Sequence, residues 1–415
     1  MNRRQMRKTM SSPSMKRVLH LGLIVCLMFV FVPFAIAQEE KEEEKLPTDA
    51  LKAMYEAQLL MQEDQFDEAI ARLNEYLAKQ PSDVPARVYM MLGNCWYAKE
   101  NFEETRKAFE KAYEVDPTDP VTLRNYAAMT YQTERFVDAA VLWEKLYEME
   151  DPRKPRTLWQ AAGAYYQAED LKNSKRVLER LLRLPGTPPD PQWYKLIIEV
   201  SYALEQMADV ERYILEFLKL DPLQSYYWTL LSQIRLDRNE LTTGTSDMEI
   251  AYRIEAPKRQ KQWGNLGELY RYVRAPLMEA RCWQEAYKGD DDPKGYIRIA
   301  KAYEDALRYD EAVKILDEGI KKNPSDADLL FEKGQLLYHA ARFREAIGAL
   351  KGCVKLDRKR GDAYTIMGFA AWSLKSWDEA RTAFADASRI PKYQAQANSA
   401  IEALKPLIAL RDEIE

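Results

Sequence analysis

Residues 296–316 read YIRIAKAYEDALRYDEAVKIL, residues 330–350 read LFEKGQLLYHAARFREAIGAL, and residues 364–384 read YTIMGFAAWSLKSWDEARTAF. Each segment begins 34 residues after the previous one, and the three align without a gap. The first half of each segment carries a large, a small and a second large residue at helical spacing. The second half opens with an aromatic residue that is followed three positions later by alanine. This spacing predicts a helix, a short turn and a second helix, repeated three times.

Small residues and prolines in these segments indicate how the predicted helices pack and where they end. Gly334 and Gly368 lie in first helices, where we expect a small residue to let the second helix approach closely. Proline ends a helix because it lacks the N–H and clashes with the preceding turn, and we expect this at Pro324. The recurring positions are Tyr296, Ala300, Tyr303, Tyr309, Ala312 and Leu316; Leu330, Gly334, Leu337, Phe343, Ala346 and Leu350; and Tyr364, Gly368, Ala371, Trp377, Ala380 and Phe384.

This pattern resembles the tetratricopeptide repeat (TPR) family. The resemblance covers about residues 50–392 and comprises about ten repeats, and it is weakest between residues 155 and 290, where we expect an irregular second helix around Pro276. It implies an all-α, right-handed superhelical solenoid of helix-turn-helix repeats, with residues 393–415 as a C-terminal capping helix. The copy most similar to the family consensus carries Leu92-Gly93, Trp96, Phe102, Phe109, Ala112 and Pro117.

Few residues in the chain suit catalysis or metal binding. Histidine occurs only as His20 and His339, and the four cysteines form no C-x-x-C pair. The sequence has neither a phosphate-binding loop nor a G-x-S-x-G elbow. We therefore expect a protein that is not an enzyme, with no catalytic residues, no metal and no cofactor. Cys95, Cys282 and Cys353 fall within predicted helices and are interpreted as small buried apolar residues.

The first 37 residues have the three parts of a secretory signal peptide. Residues 1–17 carry six basic side chains and no acid, residues 18–37 form an apolar run, and Ala35-Ile36-Ala37 provides a cleavage site. We expect cleavage after Ala37 and a periplasmic protein. The alternative is an inner-membrane protein anchored by residues 18–37, because 20 apolar residues can span a bilayer. Translation from Met15 would give a signal peptide of more ordinary length.

An acidic segment follows the predicted signal peptide. Residues 38–48 read QEEKEEEKLPT, without apolar periodicity, and we interpret residues 38–49 as a disordered, solvated spacer. Removal of the signal peptide leaves 55 basic against 66 acidic residues, a formal net charge of −11, compared with −5 for the whole chain. A net-acidic chain of this kind is not expected to bind nucleic acid.

The TPR resemblance also implies a binding surface, since the first helix of each repeat lines the concave face in this family. Repeats two to five would make that face aromatic and basic, which favours an extended peptide with carboxylates because arginine pairs bidentately with them. The family's two-carboxylate clamp is not reproduced, since the lysines that would accompany Asn94 are missing. Repeats seven to ten present a different set that includes Glu268, Lys301 and Glu304. The predicted partner-binding residues are Arg87, Asn94, Tyr97, Arg124, Tyr131, Arg156, Trp159, Tyr166, Lys195 and Tyr202.

These features predict a non-enzymatic scaffold or adaptor of the bacterial cell envelope that binds an extended segment of an envelope protein. By family resemblance, it would be accessory to a transport or assembly machine, such as a TonB/Tol-like system, outer-membrane assembly or pilus biogenesis. The alternative is a glycan-binding or polysaccharide-export factor, in which Trp159 and the tyrosines would stack on sugar rings. A membrane is expected as a partner only through an uncleaved signal anchor.

Overall fold

The helical periodicity of the sequence is realised in 21 α-helices within residues 46–79, 82–255 and 262–414, the part of the chain that the computed structural model describes. These ranges contain no strand, so the all-α prediction is confirmed. The chain divides after Pro222 into two compact units. The helices of the first unit are α1 (Thr48–Gln62), α2 (Phe66–Lys79), α3 (Ala86–Ala98), α4 (Phe102–Val115), α5 (Pro120–Gln132), α6 (Phe136–Met149), α7 (Pro155–Gln167), α8 (Leu171–Leu182), α9 (Pro191–Ala203) and α10 (Met207–Leu220).

The second unit continues the same alternation of first and second helices and ends with one additional helix. Its last repeat is α19 and α20, and the additional helix α21 follows it. The helices are α11 (Ser225–Asp237), α12 (Leu241–Ile254), α13 (Trp263–Tyr272), α14 (Pro276–Ala286), α15 (Pro293–Asp305), α16 (Tyr309–Lys322), α17 (Ala327–His339), α18 (Phe343–Leu356), α19 (Gly361–Ser373), α20 (Trp377–Ser388) and α21 (Gln394–Ile414).

The turn inside each repeat has one recurring backbone geometry. After α3, Glu100 has φ 57°, its N–H donates to Tyr97 O, and the N–H of Asn101 donates to Trp96 O, which is a Schellman cap. The described residues contain ten such turns, so the prediction of about ten repeats is confirmed. None of the ten left-handed residues is glycine. They are Asp64, Glu100, Glu134, Glu169, Glu205, Asn239, Arg274, Leu307, Ala341 and Lys375.

Close approach of the two helices in a repeat depends on the predicted small residues. A Cβ atom on Gly93 would collide with the ring of Phe109 on α4, and one on Gly368 would lie 2.5 Å from Phe384 Cε1 on α20. Both rings are buried, and they occupy the space that a side chain on the glycine would need. The prediction that glycine permits close packing at these positions is confirmed.

Proline sets helix boundaries in two different ways. Second helices α4, α10 and α16 end two residues before Pro117, Pro222 and Pro324, as proline's missing N–H predicts. The expected irregularity around Pro276 was wrong, because Pro276 is the first residue of the regular helix α14. The first helical position tolerates proline, since its N–H would have no partner within the helix.

The C-terminal helix packs on the last repeat. Ala397, Ala400 and Leu404 of α21 are buried in one apolar cluster with Phe384 of α20. The helix continues through Pro406. Its apolar side therefore covers a surface of α20 that the next repeat would cover elsewhere in the array.

The three cysteines in the described residues, Cys95, Cys282 and Cys353, are free and buried, as predicted. The predicted signal peptide and its cleavage site after Ala37 lie outside the described residues, as does most of the acidic spacer. Among the residues that the structure describes, no helix is both long enough and apolar enough to cross a bilayer.

Candidate functional site

The predicted partner-binding residues belong to first helices of the first unit, namely α3, α5, α7 and α9. On α3, Arg87, Asn94 and Tyr97 are separated by seven and three residues, which places them on one side of the helix. Val88, Leu92 and Cys95 of the same helix are buried. The corresponding spacing recurs on α5, α7 and α9, and we name the ten predicted residues together the first-helix face.

Exposure differs among the ten residues of the first-helix face. Arg87, Arg156 and Tyr202 are exposed, with 38% of Tyr202 accessible to solvent. The other seven, Trp159 and Lys195 among them, are half-buried. A partner that reached this face would therefore meet two guanidinium groups, one phenol and the accessible parts of the remaining side chains.

Two arginines of the first-helix face have no acidic partner among the residues that the structure describes. Eight of the eleven arginines in the described part of the first unit make ion pairs with Asp or Glu. Arg87, Arg156 and Arg183 do not, although all three are exposed. Arg87 and Arg156 are each the second residue of a first helix, whereas Arg183 ends the second helix α8. Two uncompensated positive charges thus lie at the N-terminal ends of first helices.

Arg124 has a different environment. Its Nη2 donates to Glu150 Oε1 at 3.0 Å, and Glu150 is buried. Thr157 Oγ1 donates to the second oxygen of the same carboxylate at 2.7 Å. Glu150 follows α6 and Thr157 lies on α7, so Arg124 takes part in a network that joins the third repeat to the fourth. Its charge is largely compensated.

Tyr166 is engaged in a contact between neighbouring first helices. Its hydroxyl donates to Glu199 Oε1, which connects α7 to α9. Burial, together with this hydrogen bond to a carboxylate, holds the pKa of Tyr166 well above its ordinary value. Sequence reasoning missed Glu199. Its spacing from Lys195 and Tyr202, four and three residues away, was the signal that places it on the same side of α9.

The tyrosines near the ends of α3 and α5 pack toward the second helix of their own repeat. The ring centroids of Tyr97 and Phe102 are 5.9 Å apart. Tyr131 lies 5.1 Å from Phe136 and 5.4 Å from Trp143, and burial raises its pKa. Much of each ring therefore belongs to the interior of the repeat, and less of it is available to a partner than sequence position alone suggests.

The remaining predicted residues are less constrained. Lys195 Nζ lies 6.0 Å from the ring centroid of the buried Phe217, which holds the lysine stem against the repeat. Val121, at the position of α5 that corresponds to Arg87 on α3, is an exposed apolar residue that sequence reasoning did not include. The first-helix face therefore combines arginine, aromatic and aliphatic groups.

First helices of the second unit carry compensated charges. Arg298 of α15 pairs with Glu268 of α13 at 2.9 Å, and Lys301 of α15 pairs with Glu332 of α17 at 2.9 Å. His339 Nδ1 lies 2.6 Å from Glu304 Oε1. Each pair joins two successive first helices. In these late repeats, the cations of the first helices thus bind carboxylates of neighbouring first helices.

The described residues offer no metal-binding group of three or more His, Cys, Asp or Glu side chains. Burial raises the pKa of Cys95 and Cys353 to about 11 and that of Cys282 to about 12. A thiol protonated at neutral pH is a poor nucleophile. The chemistry of the first-helix face is that of recognition by charge, aromatic contact and hydrogen bonding.

Comparison with a family model identifies the repeat in two segments of the chain. Residues 56–120 and 297–359 match the family model described as tetratricopeptide repeat. Yeast Tom70 is 16% identical, with 87% of this chain and 96% of that chain covered and a TM-score of 0.32. YrrB, titled a TPR protein with an unusual peptide-binding site, is 14% identical, covering 46% and 97%, with a TM-score of 0.34. The C-terminal part of a TPR repeat-containing protein from Cytophaga hutchinsonii is 15% identical, covering 61% and 98%, with a TM-score of 0.36.

Proposed function

We propose that this chain, which is a tetratricopeptide-repeat protein, is a scaffold of the bacterial cell envelope that binds an extended, carboxylate-bearing segment of a partner protein across the first-helix face. A protein-interaction scaffold is the role that the repeat family supports. The observation that carries the choice of surface is the pair of exposed, unpaired arginines, Arg87 and Arg156, in a unit whose other arginines are nearly all compensated.

The positions of these arginines suit an extended acidic ligand. Both lie in the first turn of a helix, where the unpaired backbone N–H groups add partial positive charge. Arg87 and Arg156 are two repeats apart, and since successive first helices are neighbours about 10 Å apart, the two arginines are separated by roughly 20 Å. An extended segment of about six residues spans such a distance.

Aromatic groups supply the second part of the proposed recognition. Trp159 lies on α7 three residues after Arg156, and Tyr202 is exposed on α9. Rigid aromatic side chains contribute contact area at a low entropy cost, and they dominate many interface energies together with arginine. A partner segment that alternates carboxylates with apolar side chains would use both kinds of group.

The envelope location rests on the sequence of residues 1–37, whose basic, apolar and small-residue parts support export. N-terminal sequencing of the protein recovered from periplasmic extract tests this part of the proposal. A mature chain beginning at Gln38 is the expected result. A chain that retains residues 18–37 and sediments with the inner membrane would support the anchored alternative.

Site-specific photo-crosslinking tests the surface. A photoreactive amino acid at Tyr202 should capture a partner protein in intact cells, whereas the same group at Val141, exposed on the second helix α6, should not. The double variant Arg87→Glu/Arg156→Glu should abolish capture at Tyr202. Arg183→Glu is the matched control, since Arg183 is also exposed and unpaired but lies at the end of α8.

Two results would count against this assignment. Equal capture at Val141 and Tyr202 would place the partner elsewhere. Capture that survives the double charge reversal but is lost in Trp159→Ala, with a polysaccharide in the crosslinked product, would favour the glycan-binding alternative.

A further inference from the structure

We propose that residues 39–45 of this chain are the resting occupant of the Arg87 end of the first-helix face, and that they dock at Arg87 until a partner segment displaces them. The inference rests on the proposed function of that face and adds its regulation. The segment reads EEKEEEK and lies outside the described residues. Its five glutamates and two lysines give a net charge of −3. It therefore has the carboxylate chemistry that we propose for the external partner.

The point where the chain enters the first unit favours this docking. Residues 39–45 are joined to α1, which begins at Thr48, by only Leu46 and Pro47. Between α1 and α3 the chain reverses direction twice, so both first helices run the same way and their N-terminal ends lie at the same edge. Arg87 is the second residue of α3, and α1 and α3 are in contact. The acidic segment is thus tethered at the edge that carries Arg87.

Chain length sets which residues the tethered segment can reach. The nine residues 39–47 extend up to about 30 Å. Arg87, on the first helix that contacts α1, is well within that distance. Arg156, two repeats farther along, is at or beyond its limit. The segment should therefore bind mainly at Arg87, with the later part of the face left open for a partner to begin displacement.

Tethering compensates for the weakness of exposed ion pairs. Contacts between solvated carboxylates and arginines contribute little individually and are screened by salt. A short linker, however, holds the segment at an effective concentration in the millimolar range. Docking of this kind is partial and reversible, and it weakens as ionic strength rises. A competing segment with more carboxylates or with apolar contacts would replace it.

Direct competition tests the proposal with a defined probe. The probe is a fluorescent synthetic peptide of sequence QEEKEEEKLP, identical to residues 38–47, added to the purified chain. Replacing all five glutamates of residues 39–44 by glutamine should increase the affinity for the probe about threefold or more, since a face occupied for two thirds of the time binds threefold more weakly. The matched control Lys41→Gln/Lys45→Gln makes the segment more acidic and should decrease the affinity. Arg87→Glu should weaken binding in both backgrounds.

The outcomes separate this inference from the proposed function. Equal affinity of the unchanged and glutamine-substituted chains, with binding still lost in Arg87→Glu, would overturn the docking while leaving an anion-binding face. Binding unaffected by Arg87→Glu would overturn the docking. If, in addition, photo-crosslinking at Tyr202 captured no partner, the proposed function would fail as well.

Disulfide trapping locates the docked segment. In a chain carrying Cys26→Ser, Glu42→Cys should form a disulfide rapidly with Met90→Cys on α3 and slowly with Val141→Cys on α6. The buried thiols of Cys95, Cys282 and Cys353, with their raised pKa values, should not compete near neutral pH. Equal rates at the two positions would contradict the docking. A disulfide-linked dimer would make a second copy the donor of the segment and would overturn the intramolecular arrangement.

Discussion

Arg124 Nη2 lies 3.0 Å from Glu150 Oε1, and the two residues differ greatly in their contact with water. The side chain of Arg124 is 43% exposed, whereas that of Glu150 is only 3% exposed. Arg124 is thus the main charged partner of a buried carboxylate between the third and fourth repeats. Among the predicted partner-binding residues, it has the clearest structural role.

We expect Arg124→Ala to lower the free energy of unfolding by about 1–2 kcal/mol, because it removes a charged hydrogen bond from a buried carboxylate. Thr157 and the more distant Lys154, 3.8 Å away, would be left to compensate Glu150. Arg87→Ala and Arg156→Ala are the controls, and each should stay within about 0.5 kcal/mol of the unchanged chain. Denaturant unfolding curves provide the measurement. Similar losses in all three variants would contradict this division between structural and free arginines.

Alkaline pH should destabilise the folded chain. Burial and hydrogen bonds to glutamate raise the pKa of Tyr126 and Tyr165 to about 12, and they also raise the pKa of Tyr166. A phenol whose pKa is raised by folding contributes its full stability below pH 10, its ordinary value, and loses that contribution as pH rises through the folded value. The denaturant concentration at the midpoint of unfolding should therefore decrease as the pH is raised from about 10 to 12.

The Tyr165→Phe variant is the control for this pH dependence. In the unchanged chain, the hydroxyl of Tyr165 donates to Glu144 Oε1 at 3.0 Å. The variant lacks the phenol that titrates. The decline in stability between about pH 10 and 12 should be shallower than in the unchanged chain. An identical decline would assign the alkaline effect to other groups.

Two glycine-to-alanine substitutions in the last repeats should have opposite signs. Gly368→Ala places a Cβ 2.5 Å from Phe384 Cε1, and the fully buried ring has little room to move. We expect a loss of about 2–3 kcal/mol. Gly348→Ala, on the exposed side of α18 with no atom within 4 Å of the new Cβ, should gain about 0.5–1 kcal/mol from higher helix propensity. Thermal and denaturant melts of the two variants check this, and a loss in both would contradict it.

A turn residue offers a stabilising substitution. Leu307 has φ 57° and is 71% exposed, so it adopts the left-handed conformation without burying its side chain. We expect Leu307→Gly to stabilise the chain by about 0.5–1 kcal/mol, because glycine avoids the steric cost of this conformation, although part of the gain is offset by its greater freedom in the unfolded state. Leu307→Ala should change stability little by comparison. A destabilised glycine variant would show that the leucine side chain makes a necessary contact.

The fold was predictable because the sequence signals that mark the helix boundaries recur in several copies of the repeat. The 34-residue period, Gly334 and Gly368 at corresponding positions, and the aromatic residues that open second helices each indicate the same hairpin. Agreement among copies compensates for the weakness of any one signal. Pro276 misled the prediction because proline is compatible with either the end or the first turn of a helix, and a single sequence position does not separate the two.

The candidate site was predictable only as a set of helical positions. Spacing along α3, α5, α7 and α9 places Arg87, Arg156 and Tyr202 on first helices with exposed side chains. Spacing does not reveal which neighbour each side chain contacts. Tyr131 and Tyr166 occupy similar positions in adjacent repeats, yet one ring packs against Trp143 of its own repeat and the other donates to Glu199 of the next.

By itself, the sequence of this chain determined the helical hairpins, their number and the residues along each first helix, because period, small residues and prolines act within one or two helices. Only the tertiary structure decided which charges remain available. Arg124 is compensated by Glu150, which is 26 residues away in sequence, whereas Arg87 pairs with no carboxylate in the described part of the chain. Ion pairing depends on distances of a few ångströms between side chains of different helices, and those distances exist only once the repeats have stacked.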